Sequence, residues 1–168
     1  MLADALDRTL LPTFLGDHLA LAVGAAELAR RASGTPTRTW LDGPLADLPQ
    51  ELAAERTAIL RVHEILGVRR DRVKEGGAWV GEKVGRLKLN GRVRSPSPLS
   101  AVTELQGLAA LCGALAGFWS GLDAAAGDEP RIAELDPATR AATLLSRRDA
   151  LASRIGTAAG AALAPAAG

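Results

Sequence analysis

The chain has 168 residues, room for one domain with a sizeable core. Apolar residues make up 48% and charged residues 23%, the balance of a globular protein rather than a disordered or fibrous one. The single cysteine, Cys112, excludes an intrachain disulfide, and two histidines with one cysteine exclude the usual zinc sites.

There are three Trp, two Phe and no Tyr, so the core has to be built from Leu, Ala and Val. Ala and Leu are strong helix formers, and β-branched and aromatic residues are sparse, so composition leans helical. Arg outnumbers Lys 17 to 3, which with the Ala and Gly content suggests a GC-rich genome. Met1-Leu2-Ala3-Asp4 carries an acid where a secretory signal has positive charge, and the expected location is cytoplasmic. Net charge is +1, but residues 69–94 hold nine Lys/Arg against three Asp/Glu, and the remainder is net acidic.

The first long helix is predicted over about 10–32, with Thr9 as cap, Pro12 in the first turn and Gly34 after its end. Leu15, Leu19, Ala22 and Ala26 form its apolar stripe. Residues 33–46 read as a loop. The second helix starts at Asp47, which with Gln50 fits a capping box, and Pro49 stands in the first turn. Leu52, Ile59, Val62 and Leu66 mark its buried face, and Gly67 ends it. An extra short helix is expected over about 70–86, weakened by Gly76, Gly77, Gly81 and Gly85.

Residues 87–98 read as irregular. Asn90-Gly91 suits either a hairpin turn or a helix end, and Ser97-Pro98 makes a good N-cap and N1 pair. The third long helix follows, over about 98–122. The fourth starts with Asp136 as cap and Pro137 at N1 and runs to about Leu163. Its stripe is Ala141, Leu144, Leu145, Leu151, Ala152 and Ile155. The last residues, with Pro165, should fray. These elements predict an all-α antiparallel four-helix bundle in one domain over 1–168, with a core over about 10–163.

The third helix has eighteen residues without charge, Leu105–Leu122, which reaches the length of a membrane span. Gly113, Gly117 and Gly121 recur every fourth residue, as in helices that approach closely. The preferred reading is a central bundle helix with a glycine packing face. Ala and Gly contribute little to insertion, and Glu104 and Asp123 bracket the run.

Several catalytic signatures fail. In the glycine-rich run Gly76–Lys83, Glu82 separates Gly81 from Lys83 and Val84 is neither Ser nor Thr, so it is no phosphate loop. His63-Glu64 begins like a zinc-protease helix, but Gly67 takes the place of the second His. In Gly117-Phe118-Trp119-Ser120-Gly121 the serine is one position late for a nucleophile elbow. The polar residues on apolar faces are His18, Glu55, Glu104 and Arg148. If those faces meet, these groups must pair or hold a ligand, because an isolated buried charge is costly.

Four helices with inward carboxylates and a longer connection between the second and third resemble the ferritin-like fold. The order of Gly16-Asp17-His18-Leu19, Gly85-Arg86-Leu87-Lys88-Leu89-Asn90-Gly91 and Ser97-Pro98-Leu99 is similar to uncharacterised helical proteins of high-GC bacteria. The first resemblance implies a metal site for iron or manganese, with carboxylates from four helices and two Glu-x-x-His pairs. Glu27, Glu55 and Glu104 match single carboxylates. Leu15 and Leu60 stand three residues before His18 and His63, so neither pair exists. Arg148 is expected to replace a metal charge by pairing with Glu55 or Glu104.

The leading expectation is therefore a bundle with no evident catalytic site and no cofactor, with a structural or interaction role and scope for homo-oligomers. A degenerate metal-binding or oxidoreductase site at His18, Glu55 and Glu104 is the second reading. The third is a binding module for nucleic acid or an anionic membrane surface. It would act through Arg69, Arg70, Arg72, Lys74, Lys83, Arg86, Lys88, Arg92 and Arg94.

Overall fold

The computed structural model describes residues 6–33, 41–69, 98–126 and 129–164. The described residues are helical, with no strand among them. In chain order the helices are α1 (Leu11–Ser33), α2 (Leu48–Ile65), α3 (Pro98–Ala126), α4 (Pro130–Ala133) and α5 (Pro137–Leu163), with a 3-10 turn at Gly43–Leu45 before α2. The four long helices fall where the apolar stripes place them. The four-residue α4 was not anticipated. The expected short helix over 70–86 and the irregular stretch that follows lie outside the described residues.

The helix ends show how local chemistry sets the boundaries. α1 is entered from Asp7 rather than Thr9. The Asp7 carboxylate accepts the Thr9 N–H at 2.8 Å and its hydroxyl at 2.6 Å, and the Asp7 carbonyl accepts the Leu11 N–H at 3.0 Å. At α2 the expected capping box is not formed. Asp47 occupies the N-cap, but its side chain makes no cap hydrogen bond. Its backbone (φ −91°, ψ 2°) continues the preceding turn, so the carboxylate is not folded back over the first turn as an extended N-cap residue would be.

Gly67 terminates α2 as expected. Its φ of 65° lets its N–H reach Glu64 O at 3.2 Å and the Val68 N–H reach His63 O at 3.0 Å, the paired bonds of a Schellman end. Asp136 caps α5, accepting the Thr139 N–H at 3.3 Å, with Pro137 next to it. Asp136 does so at φ 52°, the left-handed region.

The core draws on every long helix: Leu15, Leu19 and Leu28 from α1, Leu52, Ile59 and Val62 from α2, Leu105, Leu108, Leu115 and Trp119 from α3, and Leu144 and Leu151 from α5. Leu45 of the 3-10 turn and Ile132 of α4 plug its two flanks, both fully buried. α3 packs most extensively on α5, and α1 packs on both α2 and α3. Leu145 and Ala152, placed by the sequence on the inner stripe of α5, are exposed. The stripe is narrower than expected and centres on Leu144 and Leu151.

The glycine face of α3 is also corrected. A Cβ at Gly117 or Gly121 would meet nothing within 4 Å. The close approach is instead at Gly107, where a Cβ would stand 3.3 Å from Leu28 Cδ2 of α1. By length and composition α3 passes for a membrane-crossing helix, with a third of its most apolar window buried. Its outer side is rich in small residues: Ala110, Gly117, Ser120, Gly121 and Ala124 are exposed.

Candidate functional site

Among the described residues the buried polar or ionisable side chains are Glu55 and His63, and of these Glu55 is the carboxylate. It falls on the same stripe of α2 as Leu52, Ile59 and Val62, at spacings of three, four and seven residues, so its side chain enters with theirs. It is 8% exposed. Two partners hold its carboxylate. The indole N–H of Trp119 on α3 donates a short hydrogen bond to Oε2, and Arg140 Nη1 on α5 donates to Oε1 at 2.7 Å. The Arg140 guanidinium lies over the Trp119 ring, 5.2 Å from its centroid, and its Nε donates to Leu135 O at 2.7 Å. One carboxylate thus joins three helices, and the cation that neutralises it is itself fixed by an aromatic face and a backbone carbonyl.

A second bridge runs parallel to the first. Arg147 of α5 grips Glu51 of α2 through both Nε and Nη2, a fork that matches the two carboxylate oxygens. This hydrogen bond holds the Arg147 guanidinium above its ordinary pKa. Outside the core, Arg154 Nη1 closes on Asp42 at 2.6 Å and ties α5 to the segment before the 3-10 turn. Cys112 lies beneath the Glu51–Arg147 pair. Burial, with a smaller push from Glu51, raises its thiol to about 12. A thiol so protonated is a core residue, not a nucleophile.

The residues expected to converge do not. Arg148 pairs with its neighbour Asp149 at 2.8 Å, its side chain is 44% exposed, and its stem lies against Gly113. The predicted pairing of Arg148 with Glu55 or Glu104 is therefore not formed: Arg140 takes Glu55, and the adjacent Arg147 takes Glu51. Adjacent residues on a helix point roughly 100° apart, and Arg147 and Arg140, not Arg148, share the inner face with Leu144 and Leu151.

Glu104 is half-buried on α3, fifteen residues before Trp119, which separates it from the Glu55 cluster by roughly 22 Å of helix. His18 is held elsewhere, between Phe14 and Phe118 at centroid distances of 4.6 and 5.0 Å, with Nδ1 donating to Phe14 O at 2.7 Å. Glu27, matched to a ferritin-like carboxylate, is on the surface and pairs with Arg30 at 2.8 Å and Arg31 at 3.8 Å. Among the described residues no three His, Cys, Asp or Glu side chains are grouped so as to hold a metal ion. Of the basic segment, Arg69 is exposed just beyond α2, and the other eight residues lie outside the described ones.

Sequence reasoning missed Trp119, Arg140 and the Glu51–Arg147 bridge. Signals for them existed. An indole in an eighteen-residue uncharged run needs an acceptor for its N–H, and Glu55 was the acid already placed on an inner stripe. Glu51 and Glu55 are one turn apart on α2, while Arg140 and Arg147 are two turns apart on α5. Two acids and two bases on facing stripes are the pattern of a clamp.

The chain matches no family model, and no curated protein or solved structure was found similar to it. Chemically, the arrangement joins helices. Both oxygens of Glu55 are engaged by donors from the neighbouring helices.

Proposed function

We propose that this protein is a non-catalytic helical scaffold with ferritin-like helix order, whose interior polar residues hold the helices together. The observation that carries the reading is the Glu55 carboxylate, filled by Trp119 and Arg140. In a ferritin-like metal protein, inward carboxylates face one another and share an ion. Here the equivalent charge is met by a guanidinium.

The helix order draws support from which residues meet. Glu51 faces Arg147 and Glu55 faces Arg140, so ascending α2 means descending α5. Leu28 approaches Gly107 while Phe14 stacks on Phe118 at 5.4 Å, so α1 and α3 are opposed in the same way. Arg148 lies at Gly113 and Arg140 at Trp119, which opposes α3 to α5. α2 and α3 then share a direction, as the second and third helices of a ferritin-like bundle do.

The test is metal content together with unfolding. Purified protein, dialysed and then offered iron or manganese, is expected to retain no stoichiometric metal, and its melting temperature should not move on metal addition. Retention of one or more equivalents that Glu55→Gln abolishes would overturn the scaffold reading.

A further inference from the structure

We draw no further inference here: the strongest candidate, the exposed outer face of α3 formed by Ala110, Gly117, Ser120, Gly121 and Ala124, is a stripe of small residues, and nothing in the structure shows what covers it.

Discussion

Arg140 reaches from α5 to the buried carboxylate of Glu55 on α2, 2.7 Å away, across the face of Trp119. Removing one partner of a buried pair leaves the other charge desolvated, which costs far more than the pair contributes. The Arg140 side chain is 29% exposed and Glu55 keeps its indole donor, so Arg140→Ala should destabilise the fold by about 2–3 kcal/mol, less than the break of a fully buried pair. Glu55→Leu combined with Arg140→Leu should cost less than the two single changes added together, because no unpaired charge remains. Urea unfolding of the four proteins of this cycle measures the coupling. Strict additivity would show that the pair is only an exposed surface contact.

Gly107 and Gly117 lie on one helix and should respond differently to Ala. At Gly117 nothing stands within 4 Å of the added methyl, so Gly117→Ala should stabilise by about 0.5–1 kcal/mol through helix propensity. At Gly107 the methyl meets Leu28 Cδ2 at 3.3 Å, which offsets part or all of that gain. Thermal unfolding distinguishes the two. The Cβ of Gly117→Leu would meet nothing within 4 Å in the isolated chain, so a change in its sedimentation with the fold retained would mark this face as a contact between copies.

Cys112 is fully buried. Its thiol should resist alkylation at pH 8 until the protein is unfolded. The folded chain keeps the proton to about 12, whereas the unfolded chain loses it from 9.0 upward. Between those values the native state binds more protons than the unfolded one, so stability falls as pH rises, by about 1.4 kcal/mol per pH unit from this group. Cys112→Ala should remove that part of the alkaline slope. An unchanged slope from pH 9 to 11 would show that the thiol ionises equally in both states.

Asp136 holds the N-cap of α5 at φ 52°. Asp136→Ala loses the bond to Thr139 and keeps the backbone strain, a cost of about 1–2 kcal/mol. Asp136→Asn retains both the oxygen and a tolerance for this conformation, so it should lie within about 0.5 kcal/mol of the parent. Chemical denaturation of the two variants checks the order, and equal losses would remove the cap from the explanation.

Much of the architecture was legible from local rules. Helical periodicity places α1, α2, α3 and α5 because an amphipathic stripe is a property of consecutive residues. Gly67 and Asp136-Pro137 mark helix ends because their backbone preferences act over one turn. The inward placement of Glu55 was legible for the same reason. The capping box at Asp47 failed because the preceding 3-10 turn, not the motif, set that residue's backbone.

Chain order and composition alone thus determined the four long helices of the described residues and a charged residue in their core. Which charge answers it was a tertiary decision. Arg147 and Arg148 are equivalent as sequence, and so are the glycines of α3 until their neighbours are known. The rotation of α5 about its own axis turns Arg140 and Arg147 inward and leaves Arg148 on Asp149. That rotation is fixed by how Leu144 and Leu151 pack into a shared core. Packing depends on all the helices at once, so no single stripe contains it.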